Sequence, residues 1–483
     1  MSGELHQAAA DTRLGATWSR SRVPDAAGVW WREGDALATR AWRCLANDGH
    51  AQALVQCVRQ QVLGTGLWLL PQYQRDDDPA SDDAERQARR LIRRAIERGS
   101  AGHRLDAGNA LTRVQLLAQL LISGWVAGEG IAVRTWAPQR PGCGGWGTCW
   151  RVVDTQRIET PPDQAADRQV INGIRIDSAG RPVGLYIRRS AHPQDRWSER
   201  PAWDYQPWYD DAGEALVVHY IPRPDRAGTL RGLSPLAPVL LSLYQLAQAT
   251  QAHVGGKRHQ ASLPLIIPSE NPAADAAAYE RARQDGAVDD AVSVLFVPRG
   301  AEPTLPTVTY QGADFQAFQE AIARVTDAAW GYPWQVVLAQ LTNANLASSQ
   351  AALDQTERVA AADQDVFIEQ AVRPIDRSIL REAHASGWLP GLPADLDALS
   401  AGDYERPRRP DANRLRTRQA AELADKLGVS PTTIHAEMGY SYEDEIRQRA
   451  ADLAFAEAQG VALGGAEAGA AQTGDTQSQE VPA

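Results

Sequence analysis

The side chains in this 483-residue chain that could do chemistry are few and poorly grouped. Acidic pairs stand at Asp210-Asp211, at Asp289-Asp290 and at Asp363 with Asp365. Two-metal phosphodiester hydrolysis needs carboxylates that converge on shared ions, and neighbours on a helix or turn point apart. Nine histidines are scattered along the chain. His219, flanked by Val218 and Tyr220 on an expected strand, reads as a satisfied structural residue. Cys143 and Cys149 bracket a Gly-rich turn without CxxC spacing or a histidine partner, while Cys44 and Cys57 stand apart. Buried free thiols in a reducing cytoplasm are therefore expected, with no metal site. Gly255-Gly256-Lys257-Arg258 lacks the upstream glycine and the Ser/Thr of a phosphate loop. Gly64-Thr65-Gly66 and Gly128-Glu129-Gly130 are lone GxG steps, the mark of tight turns. Neither G-x-S-x-G nor H-E-x-x-H occurs. No catalytic residue and no cofactor is expected.

Composition points the same way. The charge is 49 basic against 60 acidic residues, net −11, with 43% hydrophobic and 23% charged residues. That is a folded chain of about three domains. It is not a protein that coats nucleic acid by neutralising phosphates, since such proteins are basic. Lysine occurs only at Lys257 and Lys426, so arginine carries almost all the positive charge. Met1 to Arg13 is polar with no apolar run, so no secretory signal is expected. The apolar stretches Leu116–Ile122 and Leu236–Leu246 fall short of the roughly 18–20 residues of a membrane span.

These residues need elements to hold them. A helix is expected from Asp35 to Val62, ending at Gly64. A second, Glu85–Arg98, carries Leu91, Ile92, Ala95 and Ile96 on one side and Arg86, Arg90, Arg93 and Arg94 on the rest; pairing with nearby acids explains that face better than a phosphate site. Leu111–Ser123 is a buried helix. From Trp125 to Tyr220 the pattern turns to strands: Ile131–Val133, Trp150–Val153, a hairpin joining Ile174/Ile176 to Val183/Leu185/Ile187, and Leu216–Ile221. Ser234-Pro235 opens a helix, with serine at the cap and proline in the first turn. Val239, Leu243, Leu246, Thr250 and Val254 continue it, and Gly255-Gly256 should end or weaken it. Leu265–Ile267 and Val292–Val297 flank a short helix, Ala273–Gln284, making a small α/β unit. A returning helix carries Phe315, Phe318, Ile322, Val325 and Ala329. The pair reads as a stalk with a tip. Thr342-Asn343-Ala344-Asn345 interrupts an apolar turn before a long helix, Ala347 to His384, that Pro374 should kink. A Pro-rich connector (387–410) leads to a last helical region, and a Gly/Ala/Ser/Thr-rich tail is expected to be disordered.

Several strings resemble the lambda-type phage portal proteins. They are Asn172-Gly173-Ile174 with Gly180-Arg181-Pro182-Val183-Gly184-Leu185-Tyr186, and His219 to Gly228. The most specific is Leu230-Arg231-Gly232-Leu233-Ser234-Pro235-Leu236-Ala237-Pro238-Val239. Gly331-Tyr332-Pro333, Asn345 with Ser348-Ser349 and Ala351-Ala352-Leu353, and Leu427 to Glu443 follow in order. Where the family usually has an arginine after the Ser-Ser pair, this chain has Gln350; its Arg409-Pro410-Asp411 is a shortened form of the signature before the last helices.

The resemblance implies an α+β portal fold and a structural, non-enzymatic role. Its parts would be an N-terminal arm and wing (1–232), a first stem helix (233–262), a clip (263–311) and a second stem helix (312–332). A tunnel loop with a long wing helix (333–400), a helical crown (401–458) and a tail (459–483) would follow. Copies would form a ring, commonly a dodecamer, at one capsid vertex of the virion after assembly in the host cytoplasm. Double-stranded DNA would pass through it during packaging and ejection. Partners would be the terminase large subunit, then the head-tail connector proteins, and the major capsid protein; no membrane is involved. Arg231, Gly232, Ser234, Pro235 and Pro238 would be structural signature residues. Leu341, Thr342, Asn343, Ala344, Asn345, Ser348, Ser349 and Gln350 would face DNA in the channel. The rivals are a head-completion or minor capsid protein, which would not be expected to pair two stem helices around an α/β tip, and a nuclease or terminase subunit, which would need a phosphate loop or convergent acids.

Overall fold

Asp25 opens the described chain by accepting a hydrogen bond from the Gly28 N–H at 2.8 Å. Helix α1 (Ala26–Val29) then passes through a π turn (Trp30–Gly34) into α2 (Asp35–Asn47). The computed structural model describes residues 25–73, 82–189, 202–261, 265–285, 294–300, 312–339 and 346–407, with scattered helical positions between 446 and 457. It forms two compact units, Met1–Pro407 and Arg408–Ala483, and every labelled element belongs to the first.

The single helix expected from Asp35 to Val62 is broken at Asp48. Its extended backbone (φ −117°, ψ 118°) turns the carboxylate onto the Ala51 N–H at 2.8 Å, capping a new helix, α3 (Gly49–Val58). Aspartate followed by glycine favours a cap over a helix interior. After β1 (Trp68–Pro71), α4 (Asp82–Gly99) buries Ala88, Ile92, Ala95 and Ile96, as its spacing requires. Its arginines pair within the helix, Arg89 with Glu85 and Arg93 with Glu97. Helix α5 (Arg113–Ala127) starts at a Thr112/Gln115 capping box and stops at Gly128, whose φ of +106° suits glycine.

Two antiparallel sheets follow. β3 (Thr148–Val153), β2 (Gly130–Trp136) and β8 (Val217–Tyr220) form one, in that order. β4 (Val170–Ile171), β5 (Ile174–Ile176), β6 (Pro182–Arg188) and β7 (Trp203–Pro207) form the other. The expected hairpin is β5–β6, with Ile174 opposite Leu185. Ile131, Val133, Ile174, Leu185 and Trp208 make a small core between the sheets, and the main core gathers Leu54, Leu117, Trp125, Tyr220, Phe367 and Ile375.

Helix α6 spans Leu240–Ala261, so it starts later than Ser234. Pro235 and Pro238 have no N–H to give, and the intervening residues form tight turns: the Ala237 N–H donates to Ser234 O and the Val239 N–H to Leu236 O, each at 2.9 Å. Gly255-Gly256 does not end the helix. Beyond it, β9 (Leu265–Ser269), α7 (Pro272–Gln284) and β10 (Val294–Pro298) make a βαβ unit whose strands pair in parallel, Ile267 opposite Phe296. Tyr279 of α7 meets Phe296 edge-on at 6.0 Å. Helix α8 (Gly312–Trp330) returns antiparallel to α6. His253 stacks on Phe315 with centroids 4.2 Å apart, and the Gln319 amide donates to Thr250 Oγ1 at 3.4 Å.

A short α9 (Trp334–Val337) precedes α10 (Leu346–Phe367). The expected kink at Pro374 takes the form of a π turn, Ile368–Val372, which leads into α11 (Arg373–Ala385) and places the proline in a first turn where no donor is missed. The expected connector contains α12 (Leu396–Ser400) and β11 (Gly402–Glu405), and β11 pairs antiparallel with β1, Leu69 opposite Tyr404. The break between the two units follows Pro407. Apart from the scattered positions, the part of the expected crown (401–458) beyond 407 and the expected tail (459–483) lie outside the described residues.

Candidate functional site

The signature segment 231–238 is a structural joint. Arg231 is buried and spreads its guanidinium over four acceptors. Nε donates to Glu129 Oε1 at 2.5 Å, Nη1 to Ile158 O at 3.1 Å and Asn172 O at 2.7 Å, and Nη2 to Thr155 O at 3.0 Å. Its face lies 4.0 Å from the Trp30 ring, whose N–H donates to Gly232 O at 3.1 Å. Glu129 is shared: Oε2 lies 2.9 Å from His219 Nε2 and accepts from the Gly232 N–H at 3.1 Å. Burial alone would push the Glu129 carboxyl up, but Arg231 and His219 outweigh it and hold the group below the usual carboxylate range. Gly232 is a matter of space, since a Cβ there would sit 1.9 Å from Gly128 O. Ser234 Oγ donates to Val126 O at 2.6 Å and accepts from the Leu236 N–H at 3.2 Å. Pro235 O accepts from Trp330 Nε1 at 3.0 Å. The joint ties α5, the sheets and the entry to α6 to the end of α8.

A second set of buried groups clasps the base of α8. His50 Nε2 of α3 lies 2.7 Å from Asp327 Oδ1. Tyr332 donates its hydroxyl to Asp363 Oδ2 of α10 at 2.9 Å, and Arg223 reaches the same carboxylate at 3.4 Å. Burial pushes both carboxyls up, although His50 opposes the shift at Asp327 and Arg223 opposes it at Asp363.

Above this base the stalk is open. The positions of α8 that are buried are Ala323, Thr326, Asp327 and Trp330, not the apolar stripe read from spacing. Phe318 and Val325 of that stripe face solvent, Val325 at 67% exposure. On α6, Leu241 is 67% exposed, with Tyr244 and Val254 also exposed. Two packed helices thus present uncovered apolar side chains.

Of the expected channel residues, Leu341, Thr342, Asn343, Ala344 and Asn345 lie outside the described residues. Ser348, Ser349 and Gln350 open α10, Ser348 exposed and the other two half-buried. The flanks of this segment are tied down: Thr356 Oγ1 donates to Ala352 O at 2.8 Å in α10, and the Leu338 N–H to Trp334 O at 2.9 Å after α9.

The acidic pairs do not converge. Asp363 is buried against Tyr332, while Asp365 pairs with Arg406 at 2.8 Å. Asp210 is held by Arg134 at 2.6 Å and by Arg381, and Asp289-Asp290 lies outside the described residues. Among the described residues no group of three or more His, Cys, Asp or Glu is placed to hold a metal, and no helix is long and apolar enough to cross a membrane. The four cysteines are free thiols, Cys57, Cys143 and Cys149 buried. His219 is satisfied, as its strand position suggests. Sequence reasoning missed Glu129, the anionic centre of the joint; its signal was an acid isolated between two glycines just before an apolar strand.

Three comparisons bear on identity. A 200-residue stretch is 27% identical to the probable portal protein of Halomonas phage phiHAP-1, covering 40% of this chain and 36% of that protein, so the match spans about a third of the relative's length. Two solved structures are similar over 88% of this chain and 97% of theirs. One is the neck of an empty gene transfer agent particle computed with C6 symmetry (16% identity, TM-score 0.39). The other is the virion of a native gene transfer agent particle (15% identity, TM-score 0.38). The family described as phage portal protein, lambda family, matches residues 12–364, a range holding the joint, both stalk helices and the βαβ tip. The chain belongs to the lambda family of phage portal proteins, structural components of the virion and not enzymes.

Proposed function

We propose that about twelve copies of this chain close into a ring at one capsid vertex, with α6 and α8 as the stem and the βαβ unit as the clip. The observation that carries this reading is the uncovered apolar face of the stem. Leu241, Tyr244, Val254, Phe318 and Val325 cost free energy in water, and a neighbouring stem pair is the cover that a closed ring supplies to every copy. The body from α2 to β8 is the wing, and the segment 341–345 is the tunnel loop beside double-stranded DNA. The segment 401–458 is the crown. Docking of the terminase large subunit and then of head-tail connector proteins falls to the clip, and contact with the major capsid protein to the wing.

Charge supports a passage that does not grip. Each basic contact to phosphate adds counterion-release affinity, and a subunit of net −11 repeated around a channel keeps that affinity low. Asn343 and Asn345 offer polar contacts without charge. Native mass spectrometry with negative-stain imaging tests the ring: a closed assembly of about a dozen subunits with a central hole is expected, and a chain that stays monomeric beside its capsid partners overturns it. Replacing Asn343 and Asn345 with lysine is expected to slow packaging and cut the genome content of particles. Full particles at normal titre would remove the loop from the channel.

A further inference from the structure

Apart from its contact with α6, helix α8 is hydrogen-bonded to distant parts of the body only in its last turn, among the described residues. His50 Nε2 of α3 meets Asp327 Oδ1 at 2.7 Å. Trp330 donates Nε1 to Pro235 O at 3.0 Å and accepts from Arg223 on its carbonyl at 3.3 Å. The chain then turns at Gly331, whose φ is +84°, and Tyr332 ties the turn to Asp363 of α10. Whatever holds this turn decides whether the stalk and α10 move as one piece.

Of these ties, the contact between His50 and Asp327 is the incomplete one. Asp327 is fully buried, and its Oδ2 has no hydrogen-bond partner among the described residues. A neutral imidazole beside an ionised carboxylate leaves one buried net charge with a bare oxygen, which the interior penalises. One added proton, on either partner, makes the pair neutral overall. The surrounding groups supply no second counter-charge. Cys57 of α3 is a buried thiol that burial and then Asp327 push up to about 12. Arg223 lies on the Trp330 carbonyl and on Asp363, which also accepts from Tyr332, while Tyr220 is buried beyond them. Arg324, one turn up α8, pairs with Glu320 at 3.0 Å.

We propose that His50 and Asp327 form a proton-operated latch. Holding one added proton between them, they pin the last turn of α8 to α3; losing it, they release that turn and the 331–333 link from the body. Burial raises the Asp327 carboxyl, against the pull of His50. A raised acid adds stability that is whole below its unfolded value, about 3.9, and is lost as pH rises through the folded one. The latch therefore closes toward acid and loosens toward base. It rests on contacts inside one subunit and does not depend on the ring.

The test is backbone hydrogen exchange of the full-length protein, read by mass spectrometry over residues 327–338 and corrected for the intrinsic rate at each pH. In wild type, protection there should fall roughly tenfold or more between about pH 6 and about pH 8.5, while that of α5 holds. Asp327→Asn keeps the shape and offers Nε2 an N–H but cannot ionise, so its protection should stay flat across the range. His50→Gln serves if that variant folds poorly: the amide cannot share the proton, and the step should move in pH. Tyr332→Phe removes the tie to Asp363 and should lower protection at every pH with the step in place. Flat protection in wild type overturns the latch, as does a step that survives unmoved in Asp327→Asn or His50→Gln. A step abolished by Tyr332→Phe moves the switch to Asp363 and overturns the assignment to His50 and Asp327.

Discussion

The joint at Arg231 and the stalk formed by α6 and α8 solve opposite problems. At the joint the polar groups are paired inside one subunit: Arg231 and Glu129 are buried, Arg231 and the half-buried His219 both bond to Glu129, and Gly232 lets two backbones touch. Along the stalk, apolar side chains face water, and among the described residues the helices meet through the His253–Phe315 stack and the Gln319–Thr250 hydrogen bond. Buried, fully paired charge fixes a geometry within a chain, because any displacement strands an ion in low dielectric. Exposed apolar surface fixes nothing until a neighbour covers it. On the proposed ring reading, a subunit built this way holds its body rigid before assembly and completes its stalk only in company.

The largest expected effect breaks the stem side. Leu241→Asp with Val325→Asp places carboxylates in the centre of the proposed subunit contact, where an unpaired buried charge costs several kcal/mol per interface. Native mass should fall from ring to monomer, while near-ultraviolet circular dichroism of the tryptophan-rich wing stays as in wild type. Intact rings from this variant would show that the exposed stem faces are not the subunit contact.

Next in size is the joint. Arg231→Ala leaves Glu129 buried with only His219 and the Gly232 N–H against it, and loss of one partner from such a pair costs about 3–5 kcal/mol. Calorimetry on the monomeric stem variant should register this as a lower unfolding midpoint of the wing. Arg231→Lys should recover only part of it, since an ammonium cannot span Glu129, Ile158 O, Asn172 O and Thr155 O at once. An unchanged midpoint would mean that the joint is ornamental to stability and that its geometry serves assembly alone.

What could be read from the amino acids divides along the same line. Local order was legible: the β5–β6 hairpin, the βαβ tip, the helix that became α5 and the apolar face of α4 follow from periodicity and turn residues. Family strings such as Arg231-Gly232 and Ser234-Pro235 were legible as strings, but not their physical reason, which lies in Glu129, Thr155 and Asn172, far off in sequence. The apolar stripe of α8 was legible as a stripe, and Phe318 and Val325 of it face solvent. Spacing reports which residues share a face and is silent on whether that face meets the same chain or a neighbour. Asp48 and the proline pair 235/238 show the other limit, since one cap or two missing donors decide where a helix starts.

Acid separates the two regions more gently. Glu129 is held below the usual carboxylate range by Arg231 and His219. A depressed carboxyl contributes stability that is whole above its unfolded value, about 4.3, and fades as pH falls through the lower folded value. Asp327 and Asp363 at the base of α8 are raised by burial, so ionisation there costs stability at neutral pH, and that cost is relieved as pH falls toward the unfolded value. The wing should therefore keep its midpoint down to about pH 4 and lose it steeply below. Glu129→Gln, which keeps the shape but not the charge, should start lower at pH 7 and show a shallower acid limb. Equal acid limbs in wild type and Glu129→Gln would place the acid sensitivity elsewhere. The next carboxylate to remove would then be Asp210, which burial would raise but which the Glu214 N–H, Arg381 and Arg134 together hold low.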